Sequence, residues 1–366
     1  MTLSAIASER LFNQQINEPR FRSVNQLVHW MGAMQAQDYA MAKWAIGLRL
    51  PGSTETLIET AIDNAEIIRT HLLRPTWHFV SKDDVYWMLE LSAEKIRAFA
   101  KARHRELELT ESVLTKSNNI IQSALTGDNH LTREELMALL ARSGIRTNEN
   151  RSSHIMLNAE LEGLVCSGRG KNKKHTYALL EERVKRVSHL SKEEALKTLA
   201  ARYFASHSPA TFQDFSWWSG LSAADARQAF EAVKTSLASE LIGPHTFWMG
   251  STHKKRGNDN KPSVYLLPAY DEYIISYTDR SAVLARENLK NVISINGFFK
   301  PVIVVNGQVT GLWKRTMKKG KVIIDPDVFL PFDKELTERI SGASALFGKF
   351  LEKESEVHYE PVKTSF

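Results

Sequence analysis

The sequence predicts a mainly α protein with added β structure: tandem winged-helix units followed by a β-rich C-terminal domain. Three observations lead there. Helical stretches followed by a basic turn and a return strand fill residues 112–179, and a similar succession starts again at Glu193. Past Leu267 short β-type runs take over, and Asn306-Gly307 among them is the strongest two-residue hairpin signal in the chain. The 366 residues, 43% hydrophobic and 25% charged, have the composition of a folded chain with room for several small domains.

In residues 1–110, helical runs at 2–15, 23–34 and 54–65 precede two short strands around a turn between Ile67 and Val80, and a helical stretch at 82–105 follows. In residues 111–190, an amphipathic run (Val113, Leu114, Ile120, Ile121, Leu125) breaks at Thr126-Gly127-Asp128. Thr132 and Glu135 then have capping-box spacing for a helix that Gly144 ends. A third run from Ile155 to Leu164 leads through Val165-Cys166-Ser167 and a basic turn to a strand at 175–179. In residues 191–266, a helix at 193–207 precedes one holding Phe212, Phe215, Trp217 and Trp218, stopped by Gly220, and Ser222 caps another at 223–237. A strand at 240–249 opens a long hairpin with its polar tip at 253–261 and its return strand at 264–267. Residues 267–366 hold β-type runs at 292–295, 298–305, 308–313 and 321–324 and a helix at 334–352.

Several function classes lose support. The single Cys166 cannot pair internally, and the 12 histidines lack metal-ligand spacing, so neither a disulfide scaffold nor a metal site is expected. No Walker A, GxGxxG or GxSxG pattern is present, and no cofactor is expected. With no spanning apolar run and no basic n-region at the start, a cytoplasmic, nucleoid-associated protein without membrane partners is expected.

The 48 Lys+Arg against 42 Asp+Glu give a net charge of +6. Arg169, Lys171, Lys173 and Lys174 share one predicted turn, and Lys314, Arg315, Lys318 and Lys319 share another hairpin. One such loop alone reads as a solvated turn, whereas several on winged-helix units point to DNA phosphates. Gln35 and Gln37, in Met34-Gln35-Ala36-Gln37-Asp38 at the end of the second predicted helix, face similar sides of an extended or turn segment, where their amides can hold one water.

The chain resembles the tandem winged-helix DNA glycosylases. The residues that carry the likeness are Met34-Gln35-Ala36-Gln37-Asp38, then Arg69-Thr70-His71-Leu72-Leu73-Arg74-Pro75-Thr76-Trp77-His78, then Leu267-Pro268-Ala269-Tyr270-Asp271-Glu272-Tyr273 and Asn296-Gly297-Phe298-Phe299-Lys300-Pro301, in order across nearly the whole sequence. The resemblance implies removal of alkylated purines and unhooking of interstrand crosslinks, with three winged helices and a C-terminal β-barrel. It implies catalytic roles for Gln35 and Gln37 and a substrate-facing wall of Arg74, Thr76 and His78. Alkylation at N7 or N3 makes the purine cationic, so the base departs neutral and needs no general acid; a glutamine would orient the attacking water, not deprotonate it. Damaged double-stranded DNA is the expected partner of a monomer.

The sequence also admits other readings. A non-enzymatic winged-helix DNA binder or transcription regulator fits the same fold, although residues 151–163 carry few base-reading side chains beyond Arg151, Ser152, Ser153, His154 and Asn158. Trp217, Trp218, Trp248 and Trp313 suit base stacking or a core. Asp38 is either an electrostatic aid or a helix-boundary acid, His71 and His78 either face a cleft or are structural, and Tyr270-Asp271-Glu272-Tyr273 suits either a tether of the barrel to the active site or a hydrogen-bonded domain junction.

Overall fold

The computed structural model describes residues 1–172, 174–186, 189–250, 263–329 and 333–359. Lys173 and the predicted hairpin tip at 253–261 lie outside them. The chain opens with α1 (Leu3–Asn13), α2 (Val24–Met31), β1 (Ala33–Gln35), α3 (Tyr39–Arg49), α4 (Glu55–Asp63), β2 (Ile67–Leu72), β3 (Thr76–Ser81) and α5 (Val85–Glu106). Next come α6 (Glu111–Leu125), β4 (Leu131–Thr132), α7 (Arg133–Arg142), α8 (Arg151–Leu161), β5 (Val165–Ser167), β6 (Thr176–Leu179) and α9 (Leu180–Arg183). A third group holds α10 (Lys192–Ser206), α11 (Phe212–Ser219), α12 (Ala223–Lys234), β7 (Leu237–Ile242) and β8 (His245–Gly250). The remainder is β9 (Val264–Leu267), α13 (Glu272–Ile275), α14 (Leu289–Val292), β10 (Val302–Val305), β11 (Gln308–Met317), β12 (Lys321–Val328), α15 (Lys334–Phe350) and β13 (Glu354–Val357).

Local chemistry starts these helices. Thr2, Ser23, Asp38, Thr54, Thr110, Ser222 and Asp333 each accept a backbone N–H of the first turn that would otherwise lack a partner. Full capping boxes start α7 at Thr132 and Glu135, α10 at Ser191 and Glu194, and α11 at Thr211 and Asp214.

Five strands in the order β13-β12-β11-β10-β9 form a curled half-barrel sheet, which agrees with the β-barrel-like C-terminal domain expected. Asn306 and Gly307, both at positive φ, make its β10–β11 turn. The predicted long hairpin is corrected: β7 and β8 are joined tightly through Gly243-Pro244, and β9 pairs antiparallel with β10 instead of returning to them. The apolar pattern of β9 completes a sheet core, which outweighs proximity in sequence. Residues 292–295 are likewise no strand: α14 ends at Val292, and Ile293 forms only an isolated bridge with Phe299.

The cores explain the placement of the Gln35 segment. One buried cluster joins the β2–β3 hairpin and α5 to α10, α11 and α12. A second joins α2, α3 and α4 to the C-terminal sheet and α15, and a third packs α1 on the other face of that sheet. Residues 107–179 have a cluster of their own. Ala33 belongs to the first cluster and Met34 and Ala36 to the second, so the β1 segment threads between them with Gln35 in its middle.

Candidate active site

Gln35 lies in β1, not at a helix end as the sequence suggested, because α2 stops at Met31 and Gly32 turns the chain. β1 lies along β3, with Gln35 opposite His78, and Ala36 N–H donates to Trp77 O at 2.7 Å. The Gln35 N–H points off that pairing and donates to Glu272 Oε1 at 2.6 Å, so a buried carboxylate takes the amide proton that a neighbouring strand would take in a larger sheet. The Gln35 side chain turns back: its Oε1 accepts Gln37 N–H at 2.7 Å. That bond fixes which end of the carboxamide is oxygen. Gln35 is buried and Gln37 exposed.

Arg69 braces the segment from the other side, its Nε and Nη2 both donating to Ala36 O at 3.0 Å. The guanidinium lies over the rings of Trp77 and Tyr39. Asp38 is the N-cap of α3, accepting Met41 N–H at 3.1 Å.

Glu272 is fully buried, and Trp218 Nε1 donates to its Oε2 at 3.2 Å while the Ser276 hydroxyl donates to the same oxygen. His207 Nε2 stands 3.8 Å away. Burial alone pushes this carboxyl up, but the His207 contact, the charge of Arg74 and the Ser276 hydroxyl outweigh it and hold it at about 2. Glu272 therefore meets Gln35 as a carboxylate at neutral pH. The preceding residue is fixed as firmly, since Asp271 accepts Arg49 Nη1 and Nη2, each at 2.8 Å, with both side chains fully buried. Tyr270, the residue just before these two anchors, sits at φ +58°, a left-handed conformation uncommon for tyrosine.

Arg74, Thr76 and His78, the expected wall, have buried polar atoms without partners: Arg74 Nε and Nη2, Thr76 Oγ1 and His78 Nε2. His78 Nδ1 donates to Thr76 O at 2.9 Å, and burial first, then Arg74, pushes the ring down to about 3, so it is neutral at pH 7. Arg74 acts electrostatically on both His78 and Glu272, which places the wall and the Gln35 anchor in one field.

The basic turns are less free than their sequence suggests. Arg169 bonds Asp128 at 2.8 Å, Lys171 bonds Glu135 at 2.8 Å, and Lys174 stands 3.7 Å from Glu134. In the β11–β12 hairpin, Lys314, Lys318 and Lys319 are exposed, while Arg315 turns inward against the Met41 sulfur and feels the charges of Asp38 and Glu55. Trp218 and Trp313 are core residues, Trp248 is half-buried, and the partly exposed Trp217 donates its Nε1–H to Ile275 O at 2.9 Å. His71 Nδ1 donates to Glu160, a buried carboxylate that also accepts the His71 backbone N–H at 2.9 Å.

Arg69 is a site residue that sequence reasoning left without a role, and Glu272 was read only within a segment that tethers or joins domains. The signal for Glu272 was context: two adjacent acids, Asp271 and Glu272, stand in an otherwise apolar stretch, where a carboxylate needs a buried partner. A cleft of about 710 Å³ bounded by Tyr86, Glu90, Arg97 and Arg186 holds none of these residues. Among the described residues no cluster of metal-ligating side chains occurs, and no helix is long and apolar enough to cross a membrane.

A half-barrel sheet, three helix-and-hairpin groups and a braced polar segment threaded between two cores build the chain, and its family match makes it a DNA glycosylase, a hydrolase of N-glycosyl bonds. The chain belongs to the AlkZ-like DNA glycosylases: the family model "DNA glycosylase AlkZ-like" matches residues 28–350. It is 23% identical over 336 residues, 86% of this chain and 88% of the other, to an interstrand DNA cross-link repair glycosylase of Streptomyces sahachiroi. Its fold matches that of the Streptomyces sahachiroi DNA glycosylase AlkZ with a TM-score of 0.81 at 19% identity, covering 98% of this chain and 100% of that one.

Proposed function

We propose that the protein hydrolyses the N-glycosidic bond of cationic alkylated purines in duplex DNA, interstrand crosslinks included, with Gln35 and Gln37 orienting the water. The observation that carries the reading is the bracing of Gln35, whose backbone N–H is held by Glu272 and whose carbonyl is held by Gln37 N–H. One lone pair of that carbonyl remains for a water, and the exposed Gln37 amide supplies the second contact.

The protonation states select the substrate. His78 is neutral and Glu272 is ionised, so neither group offers a proton to a departing base at neutral pH. A purine already carrying a positive charge leaves without one. Carboxylates nearby favour the oxocarbenium-like transition state. The crosslink is included because the relative from Streptomyces sahachiroi bears that activity in its name.

In this reading α2–β3, α6–β6 and α10–β8 act as winged helices, the C-terminal half barrel starts at β9, and the protein works as a monomer on damaged double-stranded DNA in the cytoplasm, at the nucleoid. Lys314, Lys318 and Lys319 grip phosphates from one hairpin, where the inward-turned Arg315 does not reach them, while Arg169, Lys171 and Lys174 do so from the other by exchanging an acidic partner for a phosphate. Duplex DNA carrying a single N7-alkylguanine tests the reading. The wild type makes abasic sites, and Gln35→Ala and Gln37→Ala lose on the order of a hundredfold in rate. Equal rates in all three proteins contradict it.

A further inference from the structure

We infer that the turn at residues 294–298 is a wedge that enters the base stack beside the lesion, an inference that rests on the DNA glycosylase reading above and deepens it. The turn is closed by its own bonds: Ser294 N–H donates to Phe298 O at 3.0 Å, Gly297 N–H to Ser294 O at 2.9 Å, and Phe298 N–H to Ser294 Oγ at 3.0 Å. Gly297, at φ +73°, permits the tight return. Ile295 at its tip is fully exposed and Phe298 is 43% exposed. A turn closed by its own hydrogen bonds thus presents a bare isoleucine at its tip with an aromatic ring behind it, apolar surface that gains free energy when something apolar receives it.

Its position names the receiver. Behind the tip, Phe298 packs edge-on against Tyr270 with ring centroids 5.2 Å apart, and Tyr270 N–H donates to Phe299 O at 3.3 Å. Tyr270 immediately precedes the anchored pair Asp271 and Glu272, and burial, then the charge of Asp38, pushes its hydroxyl above the usual phenol range. The turn is thereby coupled, through one strained tyrosine, to the segment that holds Gln35. Lys290 and Lys300 stand at the base of the turn, where a phosphate backbone passes if the tip enters a groove. Isoleucine and phenylalanine side chains between base steps part them by a few kcal/mol of unstacking and kink the duplex. The bulk of the base pair, not its sequence, is what such a tip reads.

The test uses the full chain and a duplex with a tetrahydrofuran abasic analogue beside a 2-aminopurine. Wild-type protein raises the 2-aminopurine emission on binding as the neighbouring base unstacks; Ile295→Asn abolishes most of the rise and Phe298→Ala reduces it. Ile295→Asn also slows N7-methylguanine release from a fully paired duplex on the order of tenfold, and less when the flanking pair is mismatched and already open. Because the Ile295 side chain touches solvent alone, folding is not at stake. Unchanged emission with wild-type protein, or a rise that Ile295→Asn retains, overturns the wedge even if base release is confirmed. If the wild type releases no base, the glycosylase chemistry fails while the emission still decides the wedge. A dimer in sedimentation that Ile295→Asn dissociates also overturns it, since the tip then seats on a second copy.

Discussion

Glu272→Gln is the perturbation that most sharply separates a bracing role for this carboxylate from a merely structural one. The side chain keeps its size, but a carboxamide has one oxygen where the carboxylate has two. In the native protein Oε1 takes Gln35 N–H at 2.6 Å and Oε2 takes Trp218 Nε1 at 3.2 Å along with the Ser276 hydroxyl. Whichever way the new amide turns, its NH2 opposes one of these donors, and Arg74 loses a compensating charge. Removing one partner from a fully buried charged cluster costs about 3–5 kcal/mol, which predicts a large drop in urea midpoint. If the amide presents its NH2 to Gln35, the segment recoils, and a shift near 1 Å at a water-orienting group costs on the order of a hundredfold in rate. Single-turnover release of N7-methylguanine, measured where the variant is still folded, reads the second effect apart from the first. A variant with the wild-type rate and midpoint refutes the argument that Glu272 fixes Gln35.

Other outcomes follow from the same geometry. His78 has its folded pKa lowered from 6.5 to about 3, so its contribution is complete above pH 6.5 and is lost as pH falls toward 3. The slope is about 1.4 kcal/mol per pH unit, or roughly 2 kcal/mol by pH 5, and His78→Gln flattens that slope in urea titrations run at pH 7 and pH 5. Gly220→Ala puts a Cβ 2.5 Å from Leu73 O at φ +63°, a backbone clash beside Arg74. It destabilises by roughly 2–4 kcal/mol, while Gly243→Ala, at φ +58° with open space around it, loses about 1 kcal/mol of strain alone; thermal unfolding of the pair checks the difference. Replacing Lys318 and Lys319 with alanine lowers the salt dependence of duplex binding by about 0.9 per lysine, whereas Lys171→Ala lowers it less because Glu135 already neutralises that charge.

Where structure is set locally, the sequence shows it. The Thr132 and Glu135 capping box, the Thr211 start of α11 and the Asn306-Gly307 turn all depend on neighbours in the chain, and each forms where its residues predict. What escaped prediction depends on distant partners. β1 exists because β3 lies alongside it, and β9 left its expected hairpin because β10 offers a fuller ladder and core. α3 was hidden by Lys43 and Arg49, which interrupt its apolar period yet are buried, one against Glu55 and Glu59 and the other against Asp271. The candidate site divides the same way. Gln35 and Gln37 stood out by resemblance, but Glu272, far along the chain, acquires its meaning only when folding brings it to the Gln35 amide. Likewise the basic turn at 168–174 has no acid in its own sequence neighbourhood and finds its acids on Asp128 and α7 in space.

In the proposed mechanism the protein positions water and leaves the activation of the departing base to the lesion's own charge. Single-turnover release of N7-methylguanine and of uracil from otherwise identical duplexes tests it most directly. Rapid release of the cationic base, dependent on Gln35 and Gln37, and poor release of uracil are expected. Rapid uracil release that survives Gln35→Ala and Gln37→Ala contradicts it.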